Sequence, residues 1–550
     1  MGDFREARTA VIITIIAAGA TGPATAEEPM FQVVEGAFPG ATYWTEGLGF
    51  GDVDHDGDLD IFFARGEGWT GPGRVHQNAL FINKLEEQPF TFADESVERL
   101  GYSESHARDV ITADADGDGW IDALFVNAFN RAPPYLFINR GDEKPGHFKN
   151  ESDVRGLTEA LGASSASFGD VDDDGDLDLV IADLGPNGLF GPGGRTRLYM
   201  NAGDGRFREE PDRIGAPLQI GAMGAHLVDI DGDFDLDLFG PNRTGRTDRG
   251  HTLLLNEAGY FKDASFLLPK TTGSTYEADA ADLDGDGDVD FMFTGLAETT
   301  DDASVRFRTG EGPVANRLAE TGELSFEAGN AIGIDDDNDV VFHDYDHDGD
   351  LDAFIASLGP KEKVLRNDGD LNFAFAEGVV AVVEDATLDM GFADLDNDGA
   401  PELVTATGYE RIGAEQPPCL VYRNTGTPDA RAPSVIAVKP LADPAWTGAP
   451  LLVHARVQDD TVSEHDTWVT GAIEVLIDPP DGALDFASAS RGRATESGPG
   501  LWRFEVDPAN AGRIAYRLVF RDRAGNETVT EPTRTTLTEE RPQRRRRRGG

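Results

Sequence analysis

Seven copies of one aspartate ladder, D-x-D-x-D-G-x-x-D or a close variant, run through the 550-residue chain at intervals of 50 to 62 residues. They begin at Asp52 (DVDHDGDLD), Asp114 (DADGDGWID), Asp170 (DVDDDGDLD), Asp229 (DIDGDFDLD), Asp282 (DLDGDGDVD), Asp344 (DYDHDGDLD) and Asp394 (DLDNDGAPE). A period of that size signals supersecondary units that are stacked or set in a circle, since a unit this small cannot bury its apolar face alone. The chain is a repeat protein.

Carboxylates one, three and five residues along a tight loop can converge on one point, and oxygen donors at that density suit a cation taking six to eight oxygens. The expected ligands are Asp52, Asp54, Asp56 and Asp60; Asp114, Asp116, Asp118 and Asp122; Asp170, Asp172, Asp174 and Asp178; Asp229, Asp231, Asp233 and Asp237; Asp282, Asp284, Asp286 and Asp290; Asp344, Asp346, Asp348 and Asp352; and Asp394, Asp396, Asp398 and Glu402. Calcium fits best, at up to seven sites; magnesium demands stricter octahedral geometry and keeps its waters. An EF-hand is excluded, because it needs a carboxylate at its twelfth position, where these loops place Phe63, Phe125, Ile181, Gly240, Phe293, Ile355 and Thr405. A single acidic loop is most simply a solvated turn, but seven in register disfavour that reading. Two copies depart from the pattern. Phe234 stands where the turn glycine is expected, and the seventh ladder ends in Glu402 after Ala400 and Pro401.

Short β-rich apolar runs such as LDIFFA, LDLVIA, VDFMFT and LDAFIA follow the ladders, so each loop leads into a strand. A second signature, L-x-x-N or a variant, ends at Asn83, Asn139, Asn201, Asn256, Asn367 and Asn424, and a Phe-led strand usually follows. One repeat is thus four strands: A before the ladder, B after it, C ending in Asn, and D. In the fifth repeat the C strand is expected at RLAETGELSF from Arg317, after a long insertion over Leu296 to Asn316. Seven four-stranded units predict an all-β fold, a seven-bladed β-propeller with calcium-binding loops, whose radial repetition leaves only short sheet edges. A β-solenoid would want shorter, more uniform repeats. Nothing after Asn424 supplies a last D strand, whereas FQVVE from Phe31 precedes the first A strand unpaired, so the N-terminal segment is expected to complete the last repeat.

These ladders, with phrases such as SFGDVDDDGDLDLVIAD from Ser167 and the L-x-x-N strand turns near Asn201 and Asn367, resemble the FG-GAP and VCBS repeats of integrin α-subunit propellers and bacterial surface proteins over about residues 31 to 427. The resemblance implies calcium in the A-to-B loops and adhesion or ligand binding, without naming a ligand. After residue 432 the ladder gives way to alternating strands (LLVHARVQDD, AIEVLIDPPDG, LWRFEVDP, RIAYRLVFRDRAGNET) that predict a small β-sandwich. Tyr516, Asp522, Gly525 and Asn526 give it a resemblance to Ig-like and fibronectin-III-like domains. The expected organisation is a signal peptide over 1–26, the propeller over 27–427, a linker over 428–434, the sandwich over 435–538 and an arginine-rich disordered tail over 539–550.

The net charge of −54 disfavours nucleic acid and acidic membranes as partners. An apolar run from Ala10 to Ala18, followed by Ala24-Thr25-Ala26, reads as a secretion signal and is too short to span a bilayer. The expected location is extracellular, cell-surface or periplasmic, with no transmembrane segment. Cys419 is the single cysteine and has no disulfide partner within the chain, which leaves calcium as the expected staple.

The B-to-C loops, on the face opposite the ladders, are basic. Arg65, Arg74, Arg131, Arg195, Arg197, Arg243, Arg246, Arg249, Arg306, Arg308, Lys361, Lys363 and Arg411 lie there. Such a face suits an acidic polysaccharide or protein segment, unless these side chains simply pair with neighbouring carboxylates. The expected function is adhesion or binding of an extracellular glycan or protein. The alternative is a calcium-dependent, lyase-like polysaccharide-degrading enzyme using His76, His251 or Tyr135 on the basic face. His106, His226 and His343 are expected to be packing residues. No nucleophile elbow or HExxH motif is present, and no catalytic residue is assigned.

Overall fold

The computed structural model describes residues 28–40, 42–69, 71–185, 194–214, 222–242, 250–269, 274–296, 312–329, 336–359, 361–408, 413–462, 468–482, 484–507 and 512–539. The expected signal segment and almost all of the expected tail lie outside them. The fold is all-β and propeller-like. In the first repeat the strands Thr45–Gly51, Asp60–Arg65, Ala79–Asn83 and Phe92–Asp94 form one antiparallel sheet in the order A-B-C-D. The same order recurs in five further repeats, through sheets that begin with Ala107–Ala113, Ala163–Gly169, His226–Val228, Ser274–Ala281 and Asp337–His343. B strands such as Asp60–Arg65 and Asp178–Asp183 are buried along their whole length, which is why they read as continuous apolar runs rather than alternating ones. Most D strands have three residues, so most sheets present only a short free edge; the second, with Lys144–Asn150, is the exception.

The seventh sheet takes its fourth strand from the other end of the chain. Phe31–Val33 pairs antiparallel with Leu420–Asn424, in the register Phe31 to Asn424 and Val33 to Tyr422. The pairing expected of the N-terminal segment is therefore present. In the fifth repeat the expectation fails. The C strand is Gly312–Asn316, Asn316 holds the asparagine position, and Leu318–Thr321 is a single helical turn. The sequence GPVAN lacks the leucine that marks the other C strands, so the L-x-x-N pattern passed over it.

Apolar clusters join each sheet to the next. Phe62, Leu80, Val110 and Phe125 lie between the first and second, and Val180, Leu198, Leu227 and Leu238 between the third and fourth. Leu48, Phe50 and Ile61 of the first sheet pack on Val404, Ala406 and Val421 of the seventh. Carboxylates also cap N–H groups of neighbouring A strands: Leu48 N donates to Asp389 Oδ2 at 2.7 Å, Met390 N to Asp339 Oδ2 at 3.1 Å and Ala166 N to Asp109 Oδ2 at 3.3 Å. An inner edge strand would otherwise bury unpaired donors.

Residues beyond 433 build a separate core from two sheets. One runs Ser434–Lys439, Leu451–Gln458, Leu501–Val506, Arg493–Gly498; the other is centred on Arg513–Asp522 and Val469–Ile477. Val453, Ile473, Trp502, Phe504 and Phe520 fill the space between them, and the Tyr516 hydroxyl accepts from Leu441 N at 3.1 Å. This unit rests on the ladder side of the repeats. Thr461–Val462 adds a fifth strand to the sixth sheet, pairing with Phe342 and His343, and Asp170 N donates to Ser497 O at 2.8 Å.

Candidate metal centres

Each ladder is a turn, and five of the seven share one set of internal hydrogen bonds, whereas in the fourth and fifth the position-one carboxylate accepts from the position-six N–H. In the first, the position-one carboxylate of Asp52 accepts from Asp56 N and Gly57 N, both at 3.1 Å, and Asp56 Oδ1 accepts from Asp58 N at 3.1 Å. Asp114, Asp170, Asp344 and Asp394 accept the corresponding pairs of N–H bonds at 2.9 to 3.1 Å. The turn requires left-handed backbone at positions four and six: His55 has φ 57° and Gly57 φ 96°. Glycine is the usual solution. In the fourth ladder Phe234 adopts φ 72° instead, with Lys439 lying over its ring at 5.5 Å. The irregular residue keeps the turn and covers it with the C-terminal unit.

The last carboxylate of each ladder opens the B strand and faces inward. Asp60 accepts from Val53 N at 3.3 Å and Asn83 N at 2.8 Å; Asp122, Asp178, Asp237, Asp290 and Asp352 repeat both contacts. Glu402, one methylene longer, accepts from Leu395 N at 3.0 Å and keeps Oε1 buried without a hydrogen-bond partner.

Position three completes the centre. The Arg99 guanidinium lies 3.1 Å from Asp54, Arg155 lies 2.9 Å from Asp116 and Arg213 lies 3.0 Å from Asp172. In all three the other oxygen, Oδ1, is buried with no hydrogen-bond partner, as is Oδ1 of Asp231 and Asp396. Carboxylate oxygens of Asp52, Asp54 and Asp56 lie within 4.8 Å of one another. So do those of Asp114, Asp116 and Asp122, with equivalent groups at Asp170, Asp229 and Asp282. Burial pushes the carboxyls of Asp122, Asp178, Asp237, Asp290 and Asp352 up to about 8, and that of Glu402 up to about 9. A cluster that buries several carboxylates and strands their oxygens is complementary to a hard cation, whose charge and coordination satisfy both deficits.

The asparagines of the C strands, whose role the sequence did not disclose, tie neighbouring ladders together. Asn139 Nδ2 donates to Val53 O in the first ladder at 2.8 Å, while Asn139 N donates to its own Asp122. Asn201, Asn256, Asn316 and Asn367 reach Ala115, Val171, Ile230 and Leu283 in the same way at 2.8 to 2.9 Å. Asn83 reaches Leu395 O of the seventh ladder at 2.9 Å. Asn424 differs, donating to Pro401 O of its own repeat at 3.2 Å. Arginines add a second clasp: Arg99 also donates to Gly146 O and Arg155 to Asp204 O, both in the following repeat. Their signal was the spacing Glu95 to Arg99 and Glu151 to Arg155 just beyond the D strands.

On the opposite side the described cations divide. Arg74, Arg131 and Lys361 are exposed. Arg197 is buried and pairs with Glu159 and Asp183, Arg195 pairs with Glu209, and Lys363 pairs with Asp337. Arg65 is buried over the Tyr43 ring. Arg243, Arg246, Arg249, Arg306, Arg308 and Arg411 lie outside the described residues. His251 does not belong to an open face: it is buried, stacks on Phe293 at 4.4 Å and accepts from Asn242 N, and burial lowers its pKa to about 3. His76 lies 3.1 Å from Glu67. A pocket of about 350 Å³ between the first two repeats is lined by Arg131, Tyr135, His106 and Glu104. A cavity of about 900 Å³ lies on the ladder side against the C-terminal unit, with Thr112, Ser167, Arg493 and Trp468 in its wall.

Residues 114–181 and 344–405 match the FG-GAP-like repeat. The chain is similar to cartilage acidic protein 1 of Mus musculus, 24% identical over 413 residues that cover 61% of this chain and 62% of the relative. It is equally similar to the Homo sapiens protein of that name, 24% identical over 428 residues, 63% of this chain and 62% of the relative. The chain thus spans less than two thirds of these relatives' length. Among solved structures, the extracellular domain of a putative hybrid two-component system from B. thetaiotaomicron aligns over 92% of this chain and 57% of its own at 9% identity, with a TM-score of 0.39 that is too low to carry an argument.

Proposed function

We propose that the chain is an extracellular seven-bladed propeller, closed by its own N-terminal strand and stabilised by calcium in the ladder loops, that binds an acidic polysaccharide or protein segment through the loops opposite. The observation that carries the calcium reading is the recurrence of stranded, buried position-three oxygens beside Asp54, Asp116, Asp172, Asp231 and Asp396. Bound calcium would supply the positive charge that lets these loops stay ionised and compact. Closure is supported by the Phe31–Val33 pairing, the Asn83 contact with Leu395 and the Leu48 to Val404 cluster. The extracellular reading draws on the FG-GAP-like repeats, on the relatives' name as acidic proteins of cartilage, and on the N-terminal apolar run. No helix among the described residues is long and apolar enough to cross a membrane.

Ligand capture is assigned to the loops carrying the exposed residues Arg74, Arg131 and Lys361, with Arg131 and Tyr135 lining the pocket between the first two repeats. Arginine forks match carboxylate and sulfate geometry, and a cationic face on an anionic body would steer such ligands. The test measures binding of heparin and polygalacturonate to the full chain in millimolar calcium, against the Arg74→Ala/Arg131→Ala variant and a neutral glucan. Binding of the acidic polymers that falls at least tenfold in the variant is expected. Equal binding by both chains refutes the face, and silence from a folded, calcium-loaded chain refutes acidic glycans as the ligand class.

A further inference from the structure

The C-terminal unit and the segment leading into it reach three ladders with the same chemical device, each time from a different element. Arg503, on strand Leu501–Val506, places Nε 3.8 Å from Asp170 Oδ2 and 3.1 Å from Asp173 Oδ1. Arg456, on strand Leu451–Gln458, places Nε 3.8 Å from Asp229 Oδ2 and donates through Nη2 to Gly287 O at 2.5 Å. Arg431, ahead of both strands, places Nη1 3.0 Å from Asp344 Oδ2 and donates through Nη2 to His347 O. All three address Oδ2 of the position-one aspartate, the oxygen that already accepts the position-six N–H from Gly175, Phe234 or Gly349. The other oxygen of Asp229 is buried and has no hydrogen-bond partner, although the residue is only 2% exposed.

We infer that Arg431, Arg456 and Arg503 serve as resident counter-charges for the sixth, fourth and third ladders, so that seating of the C-terminal unit and cation loading of those ladders oppose each other. The inference rests on the calcium reading above. A divalent ion drawing on the same position-one carboxylate takes up the negative charge that holds the guanidinium, and two positive groups then share one acceptor. Arg503 is 3% exposed and is also held by Asp173 Oδ1 at 3.1 Å and Glu505 Oε2 at 3.7 Å, so it stays beside the ladder when an ion enters and its charge opposes the ion with little water to screen it. Linkage makes the effect reciprocal: whatever the arginine costs the ion in affinity, the ion costs the docked unit. At the dielectric of a wet surface, one such neighbour weakens a divalent site by about tenfold. With little cation, the three arginines brace the ladders; as cation rises, the unit loosens over the third, fourth and sixth repeats.

The test uses the full chain, stripped of metal and titrated with calcium by calorimetry, beside Arg431→Gln and the Arg431→Gln/Arg456→Gln/Arg503→Gln variant. The Arg431 side chain is 38% exposed, so its single variant keeps the fold. Amide exchange over the 461–462 strand, which pairs with the sixth sheet, reads docking in the parent. The expected result is one site tightened about tenfold in the single variant, three in the triple variant, and faster exchange over 461–462 on adding calcium to the parent. Isotherms unchanged in both variants, or slower exchange with calcium, overturn the coupling. Absence of calcium uptake by all three folded chains refutes the calcium reading itself, and the coupling with it.

Discussion

Replacing Phe31 by alanine tests whether a three-residue strand joins the first and last parts of the repeat array. The side chain is fully buried and meets Phe354 edge-on at 5.4 Å, Phe392 at 5.9 Å and His343 at 6.4 Å, within a cluster that includes Val341, Met390 and Tyr422. Its backbone donates to Val379 O at 2.9 Å and accepts from Ala381 N at 2.8 Å, contacts that alanine retains. The loss is therefore the side chain's alone. Removing a buried phenylalanine costs about 3 to 5 kcal/mol in transfer and cavity energy, aromatic contacts included, a large share of a typical stability of about 5 to 15 kcal/mol. Phe375→Ala is the control, since that ring is 58% exposed on the D strand of the sixth sheet and its loss costs under about 0.5 kcal/mol. Equilibrium urea unfolding at fixed calcium, followed by far-UV circular dichroism and tryptophan fluorescence, reads both variants. A loss below about 1 kcal/mol for Phe31→Ala, or one no larger than the control's, refutes the latch.

Asn139→Ala removes donors to Val53 O and Ile121 O and an acceptor for Gly141 N, and should cost about 3 kcal/mol in the same urea assay. Asn424→Ala, which breaks contacts only within its own repeat at Pro401 O and Gly426 N, should cost about half as much; equal losses argue against the inter-ladder role. Chelation should lower the melting temperature steeply, because at ten times Kd each site contributes roughly 1.4 kcal/mol. A melting temperature indifferent to chelator counts against the ladder assignments. Burial pushes the Glu362 carboxyl up to about 8, and it accepts from Thr387 Oγ1 at 2.5 Å and Ser357 N at 3.1 Å. The folded state therefore holds a proton that the unfolded chain releases above about 4.5. This contribution to stability is full below that pH and declines as pH rises to about 8. Glu362→Gln should flatten the parent's decline over that window in urea melts with calcium saturating, and an unchanged slope refutes the assignment.

The parts of the architecture that repeat were legible because repetition multiplies a weak signal. One aspartate-rich loop says little, but seven before seven apolar runs place the A-to-B turns and B strands, and an orphan strand at each end of the repeat array leads to the Phe31–Val33 pairing. Where the chain leaves the pattern, legibility fails. Gly312–Asn316 carries no leucine and was displaced onto Arg317, whose guanidinium instead lies 3.5 Å from Asp284. Asn83 and Asn139 were visible as a motif, yet their amides act on carbonyls far away in sequence, and no local rule points there. Charge was the least readable property. Arg195 and Arg197 look like open surface in the sequence but pair with Glu209, Glu159 and Asp183, and His251 lies buried behind Asn242. Sequence position identifies the face of a loop residue, whereas the tertiary neighbour decides whether its charge reaches solvent.

The register that joins Phe31 to Asn424 also orders events in time. The strand made first must wait, unpaired, until the last repeat has emerged, because its partner is the final C strand and its side-chain pocket is built from the sixth and seventh sheets. Contacts this distant in sequence are slow to form and leave a sheet edge and an apolar cluster open meanwhile. During synthesis the chain can therefore pass through an incomplete form in which six sheets pack in succession while the seventh lacks its outer strand. Such a form is the state on which chaperones, proteases or self-association would act, and its lifetime is set by the time needed to deliver residue 424 to residue 31.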